Sequence, residues 1–257
     1  MGKFGLVDAD RSPDLKRGVR DQAMPIFVLL AAVLELTPPL AFGQSTLAPE
    51  PIVVEDFEHY PSGVPPYEWK RVSGRRLVQV PRELDRDRDY FEIVKEDGRT
   101  FVRIFTSDES TQAVRPNKEG YRWNIRTHPR LRWDWRALRL PEGARETDRK
   151  RNDSGAALYV TFQRDWLGRP RSIKYVYSST LAVGTIVDYG RLKVLVVASG
   201  TEGIGMWKTV ERDVAADYRR IFGGDPPEEP LSITLWSDTD DTNSISEVNF
   251  DNLVLLP

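Results

Sequence analysis

The chain has 257 residues, 40% of them hydrophobic, and its 30% of charged residues nearly cancel to a formal net charge of −2. That is enough apolar material for a proper core, and it gives no global field that would select nucleic acid or an anionic membrane surface. There is no cysteine, which excludes thiol catalysis, thiolate metal sites, disulfides and a lipid-modified cysteine. His59 and His128 are the only histidines, too few for a multi-histidine metal centre.

Residues 1–43 read as a signal peptide: a basic run from Lys16 to Arg20 precedes the apolar Ile26 to Leu34, and Ala41-Phe42-Gly43 fits a cleavage site before Gln44. The apolar run is shorter than the ~20 residues a membrane span requires, so no transmembrane span is expected in the mature chain. Met24 is an alternative start, although a chain beginning there lacks the basic residues. An exported protein, periplasmic or extracellular, is expected.

From Pro51 onward the pattern is strands and short turns, consistent with one domain over residues 44–257. Strands are predicted at Ile52 to Glu58 and Tyr67 to Val72, and a hairpin at Tyr90 to Val94 and Thr100 to Thr106 turning on Asp97-Gly98. Tyr121 to Arg126 and Arg130 to Leu140 continue the series. In the latter, Leu131, Trp133, Trp135 and Ala137 share one face while Arg132, Asp134 and Arg136 share the other. Glu142 to Asp153 is densely charged and reads as a solvated, mobile loop. Further strands are predicted at Ala156 to Gln163, Ile173 to Ser178, Arg191 to Ala198 and Met206 to Asp213. Val214, Tyr218, Ile221 and Phe222 recur at helical spacing before Gly223-Gly224, which predicts one short helix over 214–222. The segment Leu231 to Leu256 reads as a closing β-hairpin with Asp238, Asp240, Asp241 and Asn243 at its tip. This density of short strands predicts an all-β, antiparallel sandwich of jelly-roll type.

Several runs carry a resemblance. LRWDWRALRLPEGA from Leu131, AALYVTF from Ala156, IKYVYSS around Tyr175, ERDVAADYRRIFG from Glu211 and SDTDDTN from Ser237 occur in that order. Together they resemble an exported bacterial domain-of-unknown-function family, number 3047. EDFE near the start, with Trp69, and FDNLVL at the end resemble the ends of carbohydrate-binding jelly-roll modules.

The acidic run offers two readings. Asp238, Asp240 and Asp241 supply hard oxygen ligands close in sequence, so a structural calcium ion is the one cofactor suggested. The commoner alternative is a polar turn whose side chains bond local amides. A second calcium arrangement would bring Glu55 or Asp56 near Asp251. Strand parity places Trp236 away from Leu231, Ile233 and Leu235 and beside Ser232, Thr234 and Asp238. A flat aromatic among hydroxyls suits sugar stacking, and core packing under a covering loop is the equal alternative. Trp166 falls at a predicted turn and is the second contact candidate. Arg132 and Arg136 form either an anion clamp or a cross-strand charge ladder, and the clamp requires an aromatic such as Trp236 or Tyr175 beside them.

No G-x-S-x-G elbow occurs, and Gly200 to Gly205 joins two strands as a turn rather than opening a helix. The expectation is a non-catalytic protein binding carbohydrate or an envelope glycan through Trp236, Trp166, Arg132, Arg136 and Tyr175. A polysaccharide hydrolase or lyase on the same scaffold, and a structural or protein-partner-binding periplasmic domain, are the alternatives.

Overall fold

The computed structural model describes residues 49–74 and 76–257; the signal-peptide reading of residues 1–43 lies outside them. The strands are β1 (Ile52–Glu55), β2 (Lys70–Ser73), β3 (Arg76–Gln79), β4 (Asp89–Glu96), β5 (Arg99–Ser107), β6 (Ser110–Pro116) and β7 (Arg130–Arg139). They continue as β8 (Ser154–Arg164), β9 (Pro170–Ser178), β10 (Ile186–Tyr189), β11 (Leu192–Ser199), β12 (Lys208–Asp213), the helix α1 (Val214–Phe222), β13 (Ser232–Asp238) and β14 (Ile245–Leu256). No helix among the described residues is long and apolar enough to cross a membrane.

The strands form two sheets packed as a sandwich of jelly-roll type. The smaller, of six strands, runs β12-β7-β14-β5-β4, with β1 also on β14; the larger, of eight, runs β10-β11-β9-β8-β13-β6-β2-β3. Every pairing is antiparallel except β9 with β11, which are parallel and register Lys174 opposite Val194. Alternation along β7 works as its sequence implies: Leu131, Trp133, Trp135 and Ala137 are buried between the sheets. Trp133 meets Trp135 edge-on at 5.6 Å, and the pair contacts Tyr175 and Tyr177 of β9 at 5.6 and 5.7 Å. The two indoles therefore lock the smaller sheet to the larger one across the full thickness of the core. Thr106 and Ser237 bond across the same interior at 2.8 Å. The helix begins where expected because Asp213 caps it, accepting from the amide of Ala216 at 2.7 Å. It closes one edge of the core through Tyr218, which contacts Phe162 at 4.6 Å.

Three expectations are corrected. β13 and β14 are not a hairpin: β13 pairs with β6 and β8 in the larger sheet, whereas β14 pairs with β1, β5 and β7 in the smaller. The acidic turn between them is an arch from one sheet to the other. Local alternation cannot separate these cases, because both strands show one apolar face to the same core. Tyr121 to Arg126 is not a strand; it is an irregular segment whose Trp123 and Ile125 are buried and whose Trp123 amide donates to the Asn117 side chain at 2.8 Å. The first predicted strand ends at Glu55 rather than Glu58 because Phe57 adopts a left-handed φ of 57°.

The charged segment Glu142 to Asp153 is also not a solvated loop. Ala144, Glu146 and Asp153 are buried. Ser178 Oγ donates to Glu146 Oε2 at 2.6 Å, Thr180 Oγ1 donates to the Ala144 carbonyl at 2.8 Å, and the Tyr189 hydroxyl donates to the Glu146 carbonyl. The segment thus folds over the outer face of the larger sheet beside a second small apolar cluster that includes Val176, Leu181, Val187, Val194 and Val196. Its charges carried no apolar period because only a few of its side chains turn inward.

Gly155 marks a close approach between the sheets: a Cβ there would stand 2.3 Å from Ser246 Oγ and 2.7 Å from Pro141 Cδ. Gly155→Ala should lower the unfolding free energy measured in urea by about 1–3 kcal/mol. The same variant combined with Ser246→Ala should recover only part of the loss, since the contact with Pro141 remains.

Candidate functional site

Residues pointing away from the core on the larger sheet build the site. β13 turns Leu235 inward and Trp236 outward; β8 turns Leu158 and Val160 inward and Tyr159 outward. In register, Tyr159 stands opposite Lys174 on one side and Thr234 on the other, while Trp236 stands opposite Ala157 and Gln112. The small Ala157 leaves space beside the indole, and the Tyr159 and Trp236 rings approach to 5.4 Å with a 37° tilt. A third row sets Thr161 opposite Ser172 and Ser232, with the Thr161 and Ser172 hydroxyls 2.9 Å apart.

These rows floor an open groove of about 480 Å³. Val72, Leu77 and Leu231 give it aliphatic walls, and Arg164 and Pro170 stand at the end where the β8–β9 hairpin begins. At the Trp236 end lies a charged cluster. The Lys174 ammonium is buried and sits 5.5 Å from the Tyr159 ring centre. Burial disfavours that ammonium, but the attractions of Tyr159, Asp238 and Glu146 together outweigh it, and its pKa ends above the ordinary lysine value. Burial raises the Tyr159 phenol, with Lys174 opposing. Asp238 is pushed up to about 7 by burial, reinforced by Asp240 and Asp153 and opposed by Lys174. The indole N–H of Trp236 and Oδ1 of Asp238 are both buried without a hydrogen-bond partner.

The predicted site residues do not converge. Trp236 lies in the groove. Tyr175 does not: it is fully buried against Trp133, because β9 sends Ile173, Tyr175 and Tyr177 into the core and Lys174 outward. Arg132 and Arg136 are on the outward face of β7, in the smaller sheet, on the opposite side of the sandwich from Trp236. Arg136 bonds Glu96 at 2.8 Å and lies 5.2 Å from Phe101 and 5.0 Å from Trp207, so the aromatics beside it are those of its own sheet and not Trp236 or Tyr175. Trp166 is 89% exposed at the tip of the β8–β9 hairpin, beyond the groove's Arg164 end. Sequence reasoning missed Tyr159 and Lys174, although parity within AALYVTF and IKYVYS marks both as outward. The signal was masked because Val176 and Ala157, on the same outward faces, are apolar and buried under the covering segment.

The acidic turn is organised by a residue outside the predicted trio. Asp153, buried, accepts from the amides of Asp241 and Thr242 at 3.1 and 2.8 Å and from the Thr242 hydroxyl at 2.5 Å. The carboxylates that gather within 4.8 Å of one another are Asp153, Asp240 and Asp241, not Asp238. Both oxygens of Asp153 already accept from the turn's own backbone amides. In the second arrangement Glu55 and Asp56 are grouped with His59 rather than with Asp251: Asp251 is paired with Arg99, while Glu55 accepts from the Trp69 indole at 2.9 Å and from the Phe57 amide at 3.1 Å.

These features define a class: a β-sandwich that presents an aromatic-floored groove on the outer face of its larger sheet. Residues 78–254 match the family described as Protein of unknown function (DUF3047), and the chain belongs to that family. No curated protein matches it. Among solved structures it is similar to the family 11 carbohydrate-binding module of cellulase Lic26A-Cel5E of Clostridium thermocellum, at 13% identity and TM-score 0.41, over 80% of this chain and 94% of that one. It is similar to the family 30 module of Cel9D-Cel44B from the same organism at 12% identity and TM-score 0.43, over 80% and 98%. The adhesin domain of Lys-gingipain from Porphyromonas gingivalis W83 aligns at 10% identity and TM-score 0.33, over 80% and 96%.

Two outcomes test the site's internal chemistry. Asp153→Ala should cost about 3 kcal/mol in urea unfolding, because three donors lose a buried acceptor. For Asp238, the folded-state value of about 7 exceeds the ordinary 3.8, so the native state holds a proton that the unfolded chain releases. Its contribution to stability therefore falls as pH rises from about 4 to about 7. Asp238→Asn should gain in melting temperature relative to the wild type across that window, with the difference levelling off above it. Asp251, raised to about 6, has the same sign in both proteins and cancels in the comparison.

Proposed function

We propose that this is an exported, non-catalytic protein that binds a glycan along the outer face of the larger sheet. The observation that carries the reading is the Tyr159–Trp236 pair set at 5.4 Å beside rows of hydroxyls in an open groove. Flat rings stack on the C–H faces of sugars while hydroxyls exchange hydrogen bonds with theirs. The groove's openness along the strands suits a chain better than a compact metabolite. Export is supported by the pattern of residues 1–43.

A second reading, a hydrolase or lyase, is favoured by one observation, the Lys174–Tyr159–Asp238 cluster at the groove's end with its shifted acid. Against it, Lys174 is only 4% exposed, so the ammonium cannot reach a substrate lying in the groove. The binding reading thus predicts retention without turnover.

Affinity electrophoresis through a panel of soluble polysaccharides should retard the wild type on at least one of them. Trp236→Ala should weaken that retention about tenfold or more, equivalent to about 1.4 kcal/mol, while Tyr159→Phe, which keeps the ring, should retain most of it. Absence of retardation on every glycan, or an unchanged Trp236→Ala, would remove the proposal; release of reducing or unsaturated ends would move it to the enzymatic reading.

A further inference from the structure

We propose that the tip of the β8–β9 hairpin is a docking finger for an anionic lipid surface, a function separate from whatever the groove binds. Trp166 is 89% exposed and its neighbour Leu167 55%. Two adjacent large apolar side chains at the apex of a turn form the most projecting apolar feature among the described residues.

The tip is built to hold them out. Asp165 turns its carboxylate back into the loop, where Oδ1 accepts from the amides of Leu167 and Arg169 at 3.0 and 2.9 Å, and Oδ2 accepts from Arg169 Nε at 2.7 Å. The backbone closes beneath, with the Gly168 amide donating to the Asp165 carbonyl at 2.9 Å and the Asp165 amide to the Arg169 carbonyl at 3.0 Å. Gly168 supplies the left-handed φ of 77°. The turn is therefore ordered by its polar groups alone, and the two apolar side chains take no part in holding it. An apolar pair that contributes nothing to its own loop is free to enter another phase.

The charge around the tip selects which phase. Arg164 bonds the Gly168 carbonyl and Arg191 the Arg169 carbonyl, so with Arg169 itself three arginines are gathered at the tip; its own carboxylate, Asp165, is already bonded to Arg169 and lies 3.8 Å from Arg191. The acids of the neighbouring 225–230 segment are each paired with their own cation: Asp225 with Arg219, Glu228 with Arg126 and Glu229 with Lys118. The near-zero net charge of the whole chain conceals this local excess. Trp and Leu entering the headgroup boundary with arginines at the phosphate level is the arrangement interfacial anchors use, and each basic residue near an anionic leaflet adds about fivefold to affinity. A glycan contact would use the indole but has no use for Leu167.

The test uses the full chain and vesicles of equal parts phosphatidylglycerol and phosphatidylcholine, with pure phosphatidylcholine as the neutral comparison. The wild type should co-sediment with the anionic vesicles, less so as salt rises, and Trp166→Ser/Leu167→Ser should lose about tenfold in affinity. Its melting temperature should match the wild type's. Both chains carry the same residues 1–48, so the difference belongs to the tip. Brominated acyl chains should quench tryptophan fluorescence in the wild type and lose most of that effect in Trp166→Phe, which keeps an apolar ring. No sedimentation of the wild type, equal sedimentation of the tip variant, or quenching unchanged in Trp166→Phe would each overturn the proposal. So would an alginate gel that retards the wild type but not the tip variant while neither binds vesicles, which would make the finger a glycan contact.

Discussion

The structure depends on one packing constraint, the contact of Trp133 and Trp135 with Tyr175 and Tyr177. Two bulky rings on one strand face require two more on the facing sheet at matching spacing, and that fixes how β7 lies over β9. Once those rings point inward, period-two alternation sends Lys174 outward on β9. The register of β9 against β8, and of β8 against β13, then carries the inward–outward decision across the sheet to Tyr159, Thr234 and Trp236. The groove is thus a remote product of the core. A one-residue slip of β8 or β13 would bury these groups and expose Leu158 or Leu235.

The larger sheet treats its outer face in two ways. Over one part, Glu142 to Asp153 and the stretch around Leu181 to Tyr189 cover Val176, Val194 and Val196. Over the other, the face stays open as the groove. Between the two, Lys174 and Asp238 sit where low polarity meets water, which is why the acid is raised while the ammonium is kept by its neighbours. The charged composition of the covering segment is reconciled with burial by a division of labour. Glu146 and Asp153 turn in to accept specific donors, and Arg145, Arg149 and Lys150 remain outside.

Much of this was legible in the chain because alternation reports directly on which face is wet. The hairpin at Asp97-Gly98, the shared face of Trp133 and Trp135, the outward Trp236 and the helix over 214–222 all follow from local pattern. What was not legible depends on which sheet a strand joins. Arg132 and Arg136 alternate as a groove residue would, yet they belong to the other sheet. Tyr175 is a core residue by the parity of β9, which sends Lys174 the other way, but the strand is buried along both faces, so the wet face is marked by that one lysine alone. The arch at the acidic turn mimics a hairpin for the same reason, and its organising carboxylate, Asp153, is distant in sequence from the aspartates it gathers.

The position of β14 has a consequence for how the chain can be made. It lies between β7 and β5 and also receives β1, so it is the central member of the smaller sheet, yet it follows every other strand in sequence. During vectorial synthesis β1, β5 and β7 must wait, unpaired along one edge, until residues 245–256 have left the ribosome. The sandwich cannot close early. Completion of the smaller sheet is thus tied to the strand made last among those described, and the late arrival of β14 sets the order in which its neighbours can be joined.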